Sequence, residues 1–441
     1  MAMFFEQSDK LFLEYFQKIE VDPNHPWIIA AQKIDWQKMF LELESILYKD
    51  IQKGIGKHLD IRAHCGVYLL QAMQHWTDRE SEDMMRYHAP TRIFCGYEGG
   101  SPKWLDHTRI EKFRNRLGPE GAAVMNKYIL LLARDNGFTN GKDVDMDTTV
   151  QEAGIAYPTE MNLMKKIRER TIKIVSTIKG KTSGMVKELA ELGAKAKKIM
   201  KEYQFFAKEN KKELIEEALG ISRKYLTALE DAAKRGMGKL RAGLRKETEH
   251  LLKIVPTLFG QITKWLKTKK VAADKIICLY KEKPAFISKG KVGKAVEIGR
   301  KWIINQLWGG FILLTAPENP KIADTDCVKI SLQECARTFG EIPESYGTDR
   351  GMYSAANIKR CKKYGVKNIG IQPKGQAEWE VDRETARVLY CRRAGIEPRI
   401  GILGRLGLKK SNARTDKGDV ITGHKAAIGF NLKKLMLCWT M

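Results

Sequence analysis

Residues 143–160 read DVDMDTTVQEAGIAYPTE. From Asp143 to Val150 polar and apolar positions alternate, the period of a strand whose two sides meet different surroundings. Beyond Pro158 the pattern changes. No proline occurs until Pro256, and Lys, Glu, Ala, Leu and Ile recur at helical spacing, which predicts a block of two to four helices. A strand that runs straight into a long helical block is the feature around which the rest of the chain is organised.

Upstream, to about residue 140, the sequence predicts helices. Ile61 to Gln74 carries a continuous apolar stripe, and Thr77 with Glu80 forms a capping-box signature for the helix that follows. Gly-Gly-Ser-Pro at 99–102 is a loop, Asp106 opens a helix over 107–117, and another follows over 121–136. Downstream, strand signals return from Phe286. Lys294–Gln306 and Gly310–Thr315 read as a hairpin, then a helix over Thr325–Phe339, a short strand Ser345–Thr348 and a helix Ser354–Lys363 ending at Gly365. A strand over Val366–Gln372 and a helix from Val381 to Ala394 complete the pattern. With the helical block removed, strands and helices interleave around one mixed sheet, so the expected class is mixed α/β.

The chain has 441 residues, 78 Lys+Arg against 53 Asp+Glu, and a net charge of +25. With 43% hydrophobic and 9% aromatic residues it is too apolar for a disordered basic tail. A folded protein this cationic faces a polyanion, and about two thirds of the excess has one address: residues 165–283 hold 31 Lys+Arg and 14 Asp+Glu, a net +17. Most single lysines there are simply a solvated helix face; their sum is harder to dismiss. No stretch approaches the ~18 apolar residues of a membrane span. The N-terminal MAMFFEQSDKLFLEYF mixes acids and bases where a signal peptide would be apolar. Eight scattered cysteines with no Cys-x-x-Cys pair suit reduced thiols rather than a zinc ribbon. These features predict a cytoplasmic protein that meets nucleic acid and no membrane.

Three acids stand where chemistry would want them: Asp147 in the first strand, Asp349 at the end of a later one, and Glu397 beside the last predicted helix. Carboxylates gathered at strand ends repel unless cations bind, and such oxygen clusters suit Mg²⁺ or Mn²⁺. Two ions roughly 3.5–4 Å apart serve both oxygens of a phosphodiester displacement. Pro398 is comfortable only in a first helical turn, so a helix break is expected between Gly395 and Pro398, with Glu397 at a helix N-terminus.

The local motifs carry a resemblance. DTTVQEAGIAYPTE from Asp147 to Glu160 resembles the first-aspartate motif of bacterial insertion-sequence DDE transposases of the insertion-sequence-five type. Ser288-Lys-Gly-Lys291 with Val296-Glu-Ile-Gly-Arg-Lys301 is similar to that family's second-strand segment, and Asp349-Arg-Gly351 to its second-aspartate motif. Arg392-Arg-Ala-Gly-Ile-Glu-Pro398 resembles the third motif, and Asn431-Leu-Lys-Lys434 the closing helix. Residues 62–116, with Thr77-Asp-Arg-Glu80, Phe94-Cys-Gly96 and Phe113-Arg114, resemble the N-terminal domain.

The resemblance implies an RNase H-like core over 141–158 and 286–441, a helical DNA-binding or dimerisation domain over 1–140, and a basic helical insertion over 159–285 between the first and second core strands. It implies Asp147, Asp349 and Glu397 as catalytic ligands of two Mg²⁺ or Mn²⁺ ions, cleaving DNA at terminal inverted repeats and joining 3′-OH ends to target DNA. Tyr390 and Arg393 fit the family's DNA-contact pattern, Arg350, Lys289, Lys291 and Arg405 are further candidate DNA contacts on their charge and position, and a homodimer or higher oligomer at the bacterial nucleoid is the implied setting. The family's Tyr-x₂-Arg-x₃-Glu-x₆-Lys pattern is met by Tyr390, Arg393 and Glu397, but Gly404 stands where it has lysine, and Ile402 where it has histidine. Two alternatives accompany this reading: a transposase-derived DNA-binding protein that no longer cuts, and an RNase H-like nuclease with another nucleic-acid substrate.

Overall fold

The computed structural model describes residues 21–48, 60–97, 105–155, 159–180, 183–205, 210–272, 274–281, 285–291, 294–375 and 377–440, without the side chains of 288–291 and 294–295. The chain divides into two compact units, Met1–Ala153 with Ala285–Met441, and Gly154–Pro284.

The first unit is a mixed α/β structure around a seven-stranded sheet. Its strands are β1 (Asp143–Ala153), β2 (Ala285–Lys291), β3 (Lys294–Leu307), β4 (Ile312–Thr315), β5 (Ser345–Thr348), β6 (Asn368–Ile371) and β7 (Lys410–Ser411). The order is β2-β3-β1-β5-β6, with β4 also on β3 and β7 also on β1. β3 runs antiparallel to β1, whereas β5 and β6 run parallel. The expected alternation in β1 is real: Val144 and Met146 are fully buried on one face, in a cluster that also holds Leu69, Leu70 and Phe113 of the N-terminal helices. The N-terminal helices and the sheet therefore share one core.

Local signals explain the helix ends. Thr77 and Glu80 close a capping box at the start of Asp78–Tyr87. Asp106 caps His107–Asp135, which kinks at Gly118, with φ +64, just before Pro119. Gly365, at φ +88, ends Ala355–Tyr364. The C-terminal helix Asp416–Thr440 is pinned by Asn431, whose amide accepts from Ile312 N and donates to Ile312 O, both at 2.8 Å, and reaches Asn126 Oδ1 at 2.9 Å. One buried side chain thus ties β4, the helix His107–Asp135 and the last helix together.

Among the described residues the second unit holds four α-helices: Glu160–Lys179, Gly184–Phe205, Lys211–Gly236 and Ala242–Thr268. Their apolar faces form a separate cluster that includes Ile167, Ile174, Leu229, Leu251 and Phe259. Polar links cross it: Arg170 grips Glu247 through both guanidinium arms, and Lys179 meets Asp231 at 2.7 Å.

Candidate active site

β1 and β5 pair in parallel, and their last matched residues are Met146 and Thr348. Asp147 follows Met146 in β1 and Asp349 follows Thr348 just beyond β5, so register brings these two positions together where β5 stops. β1 continues past that point to meet β7, with Glu152 opposite Lys410. Asp349 caps the short turn Arg350–Met352 and accepts from Gly351 N at 2.9 Å, which holds its carboxylate at the strand end.

Glu397 arrives from another direction. The helix Arg383–Ala394 stops, Gly395 intervenes, and a new helix Ile396–Leu403 begins with Glu397 in its first turn and Pro398 just behind it. The break expected at Pro398 is there, and the proline costs no hydrogen bond in a first turn. Glu397 is exposed.

The electrostatics tie the three acids together. Burial pushes the Asp147 carboxyl up to about 6, and the negative charges of Asp349 and Glu397 push the same way; the Thr148 amide, at 2.7 Å, and Arg393 oppose them. Arg393 Nη1 lies 3.7 Å from Asp147 Oδ2, with both side chains largely covered, and its Nε is buried without a hydrogen-bond partner. The donors suit a divalent cation in kind: hard carboxylate oxygens, two of which help to raise the Asp147 carboxyl. As they stand, no group of three or more His, Cys, Asp or Glu among the described residues could hold a metal ion.

Beneath this trio lies a brace that sequence reading missed. Asp143, Asp145 and Asp147 share one face of β1, and Arg392 answers the first two, at 2.8 Å to Asp143 Oδ1 and 2.9 Å to Asp145 Oδ2. Gln306 on β3 donates to the Arg392 carbonyl at 3.1 Å and accepts from Arg399 at 2.6 Å. Asp145 is buried, and burial raises its pKa although Arg392 opposes the shift. Glycines make the fit possible. Gly347 pairs with Asp145 across the strands, and a Cβ there would lie 2.4 Å from Asp145 Oδ1. At the adjoining Gly370 a Cβ would meet Leu389 Cδ1 at 2.9 Å, so two bare positions let the helix bearing Arg392 and Arg393 settle onto the sheet. The signal was present in the alternating Asp-x-Asp-x-Asp, which demands cations, but the sequence does not say which arginine supplies them.

The remaining expected residues lie on several elements of the sheet unit. Arg350 follows Asp349 and is exposed; Tyr390, one helical turn before Arg393, is 49% exposed. Arg405 is exposed in a π-turn over Gly404–Leu408. It lines a cavity of about 530 Å³ with Thr149 and Val150 of β1 and Ile400 and Gly401 of the Glu397 helix. Lys289 and Lys291 belong to β2 by their backbone, but their side chains lie outside the described residues.

Comparison with known proteins agrees with part of this picture. Residues 15–116 match the family model of a transposase domain, DUF772. Over 157 residues the chain is 24% identical to the uncharacterized protein ORF8 in the nfe locus of Rhizobium meliloti, covering 35% of this chain and 74% of that protein. No solved structure matches the chain. The chain is thus transposase-like, and no helix among the described residues is long and apolar enough to cross a membrane.

Proposed function

We propose that the protein is a DNA transposase with an RNase H-like catalytic core, which cuts at the inverted repeats of its own element and joins the freed 3′-OH ends to target DNA. The observation that carries this reading is the Met146–Thr348 register, which makes neighbours of Asp147 and Asp349 and leaves Glu397 near enough to act on Asp147's charge. In this reading Asp147, Asp349 and Glu397 hold two Mg²⁺ or Mn²⁺ ions. Such ions, when bound, activate the attacking oxygen and stabilise the leaving one. The chain's own residues do the rest. Asp349 is fixed by its turn, the Arg392 brace sets the height of the helix above β1, and Arg393, with an unpartnered Nε, takes a phosphate oxygen. Tyr390 and Arg350 flank the site and steer the backbone. Cutting and joining are both in-line displacements at phosphorus, so one set of residues serves both. The basic helical unit is the surface that holds DNA ends or a second protomer, and Lys289, Lys291 and Arg405 add phosphate contacts.

The reading is tested by nicking of a supercoiled plasmid that carries the element's ends, in Mg²⁺ or Mn²⁺ and in EDTA. Metal-dependent nicking that disappears in Asp147→Ala, Asp349→Ala and Glu397→Ala is expected; nicking that survives them removes the site assignment. A second reading, a DNA-binding derivative that no longer cuts, is favoured by Gly404 and by the open arrangement of the three carboxylates. DNA binding by the wild type without nicking in either metal selects it.

A further inference from the structure

A second cavity, of about 720 Å³, lies in the sheet unit and shares Gly404, Arg405 and Lys409 with the 530 Å³ cavity, which Thr149, Ile400, Glu152 and Glu297 also line. Its walls come from opposite ends of the chain. Trp76 and Thr77, in the link between Ile61–Gln74 and Asp78–Tyr87, and Arg114 of His107–Asp135 lie within the stretch that matches the transposase domain; the π-turn, β7 and the start of Asp416–Thr440 form the other side.

Its charge is one-sided. Arg114, Arg405, Lys409, Lys410, Arg414 and Lys425 line it, and Glu111 is the one lining carboxylate. Arg114 is already engaged by Asp78, at 2.5 and 2.8 Å, and Lys425 donates to Gln71 Oε1 at 2.8 Å. Arg405, Lys409, Lys410 and Arg414 are exposed, and no ion pair engages any of them among the described residues. Lys425 also lines the cavity and is half-buried, and burial lowers its ammonium to about 7, with Arg114 adding to the effect and Asp78 opposing it. Positive charge has therefore been gathered here beyond what the protein itself neutralises. Four free cations spread over a turn, a short strand and a loop suit a string of separated anions better than one small ion.

Gly404 connects the two cavities. Its backbone is helical, with φ −58, so no conformation demands glycine, and a Cβ would meet only Lys409 Cβ, at 3.4 Å. What the glycine provides is room.

We propose that the 720 Å³ cavity receives the phosphodiester backbone of the DNA strand that runs on from the carboxylates, past Gly404, between the N-terminal helices and the C-terminal helix. The proposal rests on the DNA-cutting reading above and adds to it a path for the strand. It joins the transposase-domain helices and the catalytic edge through one ligand.

The test uses the full chain and a duplex carrying the element's end. The double variant Lys410→Ala/Arg414→Ala removes two exposed cations that make no ion pair among the described residues. Its slope of log affinity against log salt is expected to be shallower by about 2, since each duplex phosphate contact contributes about 0.9. At about 0.1 M salt its binding is expected to weaken roughly tenfold. The charge-matched Lys321→Ala/Lys329→Ala, outside the cavity, is expected to keep the wild-type slope. An unchanged slope in the cavity variant, or an equal loss in both, overturns the proposal. A wild type that binds but never cuts, with the slope lost in the cavity variant, keeps the path and removes the cutting. A wild type that cuts, with the slope retained in that variant, does the reverse. A wild type that binds no DNA removes both.

Discussion

The helical unit and the sheet unit use charge in opposite ways. Between residues 165 and 283 the excess of +17 is spread over the helices and the segments that join and follow them, and links such as Arg170–Glu247 hold the bundle while most lysines stay in water. In the sheet unit a few charges are placed by strand register: three aspartates on one face of β1, two of them answered by Arg392. Charge held in bulk is insensitive to any one residue, whereas charge held by register depends on every one. The two units should therefore answer mutation very differently.

The largest effect is expected at the strand ends. Glu397→Gln, an exposed and nearly isosteric change, should lower metal-dependent nicking by on the order of 10²–10³-fold while leaving the urea midpoint in place. Equal nicking by this variant would remove the contrast between the units. Next comes the brace. Arg392→Ala leaves Asp145 buried without its cation and should cost about 3–5 kcal/mol in urea denaturation, because a stranded buried charge is worse than no pair. Asp147→Asn should act the other way. A carboxyl raised from 3.8 to about 6 opposes folding once it must ionise, so the variant gains roughly 3 kcal/mol well above pH 6. That gain should shrink as pH falls between those values and vanish below about pH 4, where both states are protonated. A gain that persists at pH 3 would mean that charge is not its source. At the small end, Lys197→Ala on the exposed face of Gly184–Phe205 should move stability by less than about 0.5 kcal/mol and shorten the salt slope by at most about 1.

Much of the fold was readable because it rests on local rules. The alternation in β1, the capping box at Thr77, the end at Gly365 and the break before Pro398 each follow from neighbours a few residues apart, and each appears in the structure. β1 extends beyond Val150 to Ala153, since its last residues gain a partner in β7, which at two residues is too short to carry any period. The site was legible only as a set of residue types. That Asp147 neighbours Asp349 depends on a pairing between segments some 200 residues apart, and that Arg392 rather than Arg393 answers Asp145 depends on how closely Gly347 and Gly370 let a helix descend. Nor did spacing reveal that residues 75–77 and 404–425 line one cavity. Long-range register and close approach are properties of the folded chain.

The short pairing of β7 with β1 also has a mechanical side. Glu152 N donates to Lys409 O at 2.9 Å, so the turn bearing Arg405 and Lys409 is sewn to the strand that carries Asp147, five residues away. On the proposed path, tension on a DNA strand held by that turn would pass into the central strand of the sheet, and so to the aspartate, instead of into a free loop.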